Sequence, residues 1–232
     1  MWIELKPDFI GRDRFIETMM ATGFRVKRSV SKMRTTFAGK VFYPNLIQGR
    51  KVRSPSTIWQ SDITYINVNN VAYYAVFIID VYSKIIVGYQ VTIHMRASAN
   101  VKALAMALKK YRAPQIHHSD RGSQYIDTAY RKMLTDKGIV ISMCKEAWQN
   151  AYTERVNRTI KEEYLNEWKI ENYQELTRSV AKAVKHYNNK RKHQALGYIS
   201  PIDFEKQPDR VTMKLYKSSE NPTQNGWVGS RK

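Results

Sequence analysis

Three acids in this chain stand where acids are costly. Asp62 falls inside the alternating apolar stretch WQSDITYI, and Asp120 ends a short apolar run in HHSDRGSQY, followed at once by Arg121 and Gly122. Glu154 opens a long stretch free of Gly and Pro, NAYTERVNRTIKEEYL. A carboxylate in a strand or at its end needs a cation or hydrogen-bond donors to offset its burial. Three such oxygen ligands suit a hard cation, Mg²⁺ or Mn²⁺, which keeps waters and accepts phosphate oxygens. Two ions about 3.5 to 4 Å apart would clamp the attacking and leaving oxygens of an in-line phosphoryl displacement. The attacking group is then water or a sugar 3′-hydroxyl, and no nucleophilic side chain is required. Glu154, Asn157, Arg158 and Lys161 recur at i, i+3, i+4 and i+7, so a metal ligand would continue along one helix face into a phosphate-holding stripe. Spacing alone leaves two plainer roles open: Asp62 pairing or capping locally, and Glu154 countering a helix dipole.

The elements that must position these acids follow from hydrophobic periodicity. Thr57 to Val68 reads as a strand with Asp62 in its middle, Val71 to Ile79 as a second strand ending in Asp80, and Lys84 to Ile93 as a third. Asn69 and Asn70 supply the first turn, which predicts an antiparallel meander. Ala97 to Tyr111 predicts a helix with Val101, Leu104, Ala105 and Leu108 on its apolar face, and Gln115 to Ser119 a short strand aimed at Asp120. Tyr125 to Lys137 reads as a helix closed by Gly138, Ile139 to Met143 as a fifth strand, and Asn150 to Trp168 as one long helix. Together these predict an α/β fold, a mixed five-stranded sheet flanked by helices. Ahead of it, residues 8 to 23 predict a short amphipathic helix carrying Phe9, Phe15, Ile16, Met19 and Met20 and stopping at Gly23; behind it, Tyr173 to Tyr187 predicts another helix.

The charge distribution suggests a polyanionic partner. The 39 Lys and Arg outweigh 20 Asp and Glu, a formal net charge of +19 over 232 residues. Residues 1–56 carry +8, residues 57–168 only +4, and residues 169–232 carry +7. The expected organisation is therefore a basic N-terminal arm (1–56, with Arg25 to Arg53 as a phosphate-contacting loop), a catalytic core (57–168), a helical basic extension (169–206) and a weakly ordered tail (207–232). No run approaches the length of a spanning helix and the opening residues do not read as a leader, so a soluble, intracellular protein is expected. A single cysteine, Cys144, excludes an internal disulfide and a cysteine-cluster zinc site.

WQSDITYI, HSDRGSQY and NAYTERVNRTIKEEYL, in this order, resemble the integrase-type catalytic core of bacterial insertion-sequence transposases of the insertion-sequence-three family. YNNKRKHQALGYISPIDFE is similar to that family's closing motif, and GRDRF with TTFAGKVFYPNLI resembles its approach to the core, so the resemblance covers residues 11 to 206. It implies an RNase H-like fold, a triad of Asp62, Asp120 and Glu154 holding two Mg²⁺ or Mn²⁺ ions, and cleavage of double-stranded DNA at element ends followed by 3′-hydroxyl joining to target DNA. An oligomer on DNA, with no membrane and a cytoplasmic, nucleoid-associated setting in a bacterium, is the corresponding expectation. Two alternatives stand beside it: a nuclease of the same fold that hydrolyses without joining, and a truncated or domesticated copy that binds DNA and regulates transposition. The chain departs from the family's pattern in having 33 residues between Asp120 and Glu154, fewer than usual, and Gln149 where an aspartate normally precedes Asn150. It also starts too late to include in full the family's helix-turn-helix segments, so a catalytic fragment or a downstream reading frame is expected.

The remaining candidates have plainer readings. Asp80 is expected to be structural, and so are His117 and His118, since adjacent strand residues face opposite ways and at most one can approach the site. Arg191, Lys192 and His193 in the closing motif are expected near DNA. Trp148, beside Glu154, is the best placed of the tryptophans to stack on a base, while Trp59 and Trp168 suit ordinary packing.

Overall fold

The computed structural model describes residues 2–5, 7–24, 42–207 and 213–214. Most of the basic loop expected from Arg25 to Arg53, and nearly all of the tail, lie outside the described residues. Two helices open the chain, α1 (Trp2–Leu5) and α2 (Arg12–Ala21), followed by the short strand β1 (Lys51–Val52). The core runs β2 (Ile58–Val68), β3 (Val71–Asp80), β4 (Ile86–Thr92), α3 (Ala97–Lys110), β5 (Ile116–Ser119), α4 (Thr128–Asp136), β6 (Val140–Met143) and α5 (Ala151–Glu163). It is followed by α6 (Tyr173–Asn189), α7 (Pro201–Glu205) and β7 (Met213–Lys214), which pairs with β1.

The five core strands lie in the order β4-β3-β2-β5-β6. β2, β3 and β4 form the expected antiparallel meander, and β5 and β6 add to β2 in parallel. The β2–β3 hairpin closes through Asn69 and Asn70, both at positive φ (50° and 64°), with Val68 paired to Val71. That is the two-residue turn whose twist suits a hairpin, and asparagine tolerates it better than most residues.

Strand alternation sorts β2 into two faces. Trp59 and Ile63 pack with Val76, Ile78, Leu104 and Tyr130 under α3 and α4, while Ile66 and Val68 pack with Phe77, Val156, Ile160 and Val180 under α5 and α6. By the same period of two, Asp62 joins the α5 face. The expected apolar face of α3 needs correction: Ala105 is exposed, and the buried residues are Ala99, Asn100, Ala103, Leu104 and Ala107. The small face wins because α3 lies almost on the sheet at Gly88. A Cβ there would collide with the Ala103 carbonyl oxygen and stand 3.0 Å from the Ala107 Cβ.

Three other boundaries differ from expectation. Ser83 and Lys84 belong to the turn before β4, Lys84 at φ 63°. The helix expected from Tyr125 is split into a 3-10 turn, Ser123–Tyr125, and α4, which is capped by Asp127, whose side chain accepts from Ala129 and Tyr130 N–H. The long helix expected to reach Trp168 ends at Glu163, because Tyr164 leaves helical geometry (φ −130°, ψ −67°) to bury its ring against Trp168 and His186. On α2, Phe15, Ile16, Met19 and Met20 line a small apolar cavity with Gln194 and Tyr198, whereas Phe9 is exposed; the stop at Gly23 (φ 91°) is as expected.

Candidate active site

β2 and β5 are parallel neighbours in register Ser61 to Ser119, so the next residue on each chain is an aspartate, and both belong to the face covered by α5. The pair is legible in the electrostatics. Burial first, then the charges of Asp120 and Glu154, together hold the Asp62 carboxyl at about 8, against the opposing effects of the Ile63 N–H and Lys161. Asp120 is oriented by its own glycine, since Oδ1 accepts from Gly122 N–H at 3.0 Å. Asp62 is oriented from α5, where Asn157 Nδ2 donates to its Oδ2 at 2.8 Å.

Glu154 lies in the first turn of α5, half-buried, its carboxyl raised by burial and lowered by Arg158. It shares the field of the two aspartates without joining them: among the described residues no three His, Cys, Asp or Glu side chains are close enough to hold one ion.

The loop before α5 is held by residues whose structural work the sequence did not announce. Gln149 Oε1 accepts from Lys145 N–H (2.7 Å) and Glu146 N–H (3.2 Å), folding the loop on itself. Asn150 Nδ2 donates to Ser61 O at 3.0 Å, which stitches the start of α5 to β2 one residue before Asp62. Thr153 Oγ1 then donates back to Asn150 O. The shortened connection thus has a direct tie to the strand that carries Asp62.

The expected phosphate-holding stripe divides. Asn157 is buried on Asp62, Arg158 is exposed and acts on Glu154, and Lys161 is close enough for Asp62 to raise its pKa against the larger, lowering effect of burial. Trp148 sits in a 3-10 turn beside the loop, 48% exposed. Arg191, Lys192 and His193 are brought elsewhere. They line a cavity beyond α5 that none of the three acids borders. Arg191 forms a two-pronged pair with Glu163 (2.5 and 2.6 Å), and His193 packs edge-on against Tyr187, its pKa pushed down to about 3 by burial and then by Arg191.

The plainer readings agree with the contacts. His117 Nε2 meets the Tyr130 hydroxyl and His118 Nδ1 the Ser142 hydroxyl, each at 2.9 Å, and burial keeps both imidazoles neutral. Asp80 accepts from Ser83 N–H, Ser83 Oγ and Ser56 N–H, fixing the turn after β3. Burial raises the Cys144 thiol to about 12. Trp59 is fully buried, and Trp168 packs on Tyr164.

Comparison with known proteins adds an independent line. The integrase core domain family matches residues 52–147, and a second integrase core domain family matches residues 138–201. The insertion element IS600 uncharacterized 31 kDa protein of Shigella sonnei is 34% identical over 203 residues, covering 84% of this chain and 75% of its own. The transposase for insertion sequence element IS904 of Lactococcus lactis is 36% identical over 170 residues, covering 70% and 67%. Among solved structures, the HTLV-2 integrase catalytic core domain in complex with magnesium is similar in fold, with a TM-score of 0.56 at 18% identity over 66% of this chain and 97% of that one. A simian T-cell lymphotropic virus intasome structure gives a TM-score of 0.60 at 16% identity, covering 72% and 60%.

Proposed function

We propose the working residues of a chain that belongs to the insertion-sequence-three family of transposases, with an integrase core domain of RNase H-like fold. It is a DDE transposase of an insertion sequence, a polynucleotidyl transferase whose substrate is DNA. Asp62 and Asp120 are the fixed acids of its site, and Glu154 is the third, completing the site as DNA docks. The observation that carries this is the pair of aspartates that directly follow the register pair Ser61 and Ser119 of parallel β2 and β5, with Asp62 held in a field that resists its ionisation.

The donor set fits a hard divalent cation. It is all oxygen, its charges are mutually repelling, and the buried Asn157 Oδ1 beside Asp62 has no hydrogen-bond partner. Bound there, two Mg²⁺ or Mn²⁺ ions would supply Lewis-acid activation of a water or 3′-hydroxyl and stabilise charge on the phosphate. The chain's residues do the positioning. Asn157 holds the Asp62 carboxylate in one orientation, and Gly122 N–H does the same for Asp120. Asn150 anchors the helix start so that Glu154 needs only to turn toward the aspartates. Lys161 and Arg158 offer positive charge to the scissile phosphate and its neighbour, and exposed Trp148 borders the DNA path. The basic flanks hold DNA beyond the site, the working form is an oligomer that brings two ends together, and its setting is the bacterial chromosome.

A strand-transfer assay with Mg²⁺ on DNA with a free 3′ end tests this. Asp120→Asn and Glu154→Gln should each abolish cleavage and joining while DNA binding persists. Turnover at the parental rate in either variant would sink the assignment, and cleavage without joining in the parent would favour the hydrolytic reading.

A further inference from the structure

On the side of α5 away from Asp62 lies a cavity of about 730 Å³, walled by α5, α6 and the turn that follows α6. Its floor is Lys84, a lysine only 6% exposed, whose Nζ donates to Val81 O at 2.5 Å and lies 3.6 Å from the centre of the Tyr152 ring. Its nearest acid, Asp80, spends both oxygens on Ser83 and Ser56. A buried ammonium without a paired carboxylate is costly, and burial lowers its pKa to about 7.

Arg155, Lys190 and Lys192 also line the cavity, and none of them makes an ion pair with a carboxylate among the described residues. Glu163, the acid in the wall, is taken by Arg191. Glu4 of α1 borders the same space.

We propose that this cavity is a second DNA-contact site, which takes a backbone phosphate of the substrate on Lys84, Arg155, Lys190 and Lys192. A phosphate fits better than a stacked base because three of the four tyrosine rings that line the cavity are already engaged, Tyr152 by Lys84, Tyr187 by His193, and Tyr164 by His186 and Trp168, which leaves Tyr198 without a second ring to form a stack. With α5 between them, cavity and acids stand about one helix diameter apart, ~10 Å, or about three base pairs along a strand at ~3.4 Å each. The site rests on the reading of the chain as a DNA-processing enzyme, and it assigns DNA contact to a face of α5 that does no chemistry.

The test is binding of the full chain to a mixed-sequence duplex oligonucleotide, without divalent cation, across a salt series. The triple variant Arg155→Gln, Lys190→Gln, Lys192→Gln should bind about tenfold more weakly and lose about 1 from the slope of log K against log salt, since each phosphate contact contributes ~0.9. A control with the same charge change on exposed lysines elsewhere, Lys102→Gln, Lys109→Gln, Lys137→Gln, should keep most of the slope. Lys84→Met should weaken binding without lowering the melting temperature, and if it fails to fold, the triple variant still decides. An unchanged slope in the triple variant, or an equal loss in the control, overturns the site. If the parent does not bind the duplex at all, the reading as a DNA enzyme fails instead. Loss of joining in Asp120→Asn is independent of both outcomes.

Discussion

Asp62→Asn should stabilise the metal-free protein, although it removes a proposed ligand. The Asp62 carboxyl has a folded-state pKa of about 8 against an ordinary value of 3.8. A raised folded pKa means that the native state binds the proton more tightly than the unfolded chain does. Stability from this group is therefore complete below pH ~4 and is lost steadily as pH rises toward 8, at about 1.4 kcal/mol per unit. At pH 7 the loss is about 4 kcal/mol at most, and a few kcal/mol once the partial solvent access of Asp62 is allowed for. Asparagine carries no charge to lose, and its amide oxygen still accepts from Asn157. The difference in melting temperature between variant and parent should therefore widen between pH 5 and 8 and then level off, reaching about 10 °C at 2–4 °C per kcal/mol for a chain of this size. Mn²⁺ at a hundredfold excess over Kd should close most of the gap, stabilising the parent by about 2.7 kcal/mol and the variant far less. Calorimetric melts of both proteins over this pH range, with and without Mn²⁺, decide it. A pH-independent difference, or an equal Mn²⁺ shift in both, would refute the account of Asp62 as a buried acid poised for a cation.

Asn157→Ala should slow strand transfer by about tenfold, as expected for losing a hydrogen bond of roughly 1–2 kcal/mol to a carboxylate, with DNA affinity little changed in a gel-shift assay. Asn150→Ala removes the tie between the loop and Ser61 O and should cost about 1–2 kcal/mol in a denaturant melt together with a loss of joining; unchanged stability would count against the stitch. Gly88→Ala forces α3 off the sheet and should destabilise by about 1–3 kcal/mol without altering Mn²⁺ binding. Arg191→Met should lower the melting temperature by a few degrees, and Glu163→Gln in the same chain should restore part of it by removing the unpaired acid; a purely additive loss would show that the pair does no structural work.

What the sequence made legible was what periodicity and turn chemistry encode within a few residues. The alternation through Asp62, the asparagine pair at 69 and 70 and the run ending at Asp120 are enough to predict the meander and one further short strand; that this strand lies parallel beside β2 is set by the sheet and not by any local pattern. Periodicity alone puts Ala105 on the apolar face of α3, where the structure leaves it exposed. Ala103 and Ala107 are buried for being small, at a sheet position where Gly88 has no side chain. α5 was read too long because nothing local ends it; its end is set by the Tyr164 ring finding Trp168 and His186. The same limit governs the site. A helix wheel says that Asn157 shares a face with Glu154, but not that it donates to an aspartate 95 residues away, and so it was assigned to phosphate. Arg191 is expected near DNA from its motif, while the acid that holds it, Glu163, lies 28 residues before it in the chain. Lys84 looked like the start of a strand, and the burial that gives it weight exists only once β3, α5 and the closing turn have come together. Residue type marks which groups have chemistry to offer; whether each is spent on a neighbour or left for a substrate is decided by contacts between distant segments, and α5 carries both cases, Asn157 spent on one side and Arg155 unspent on the other.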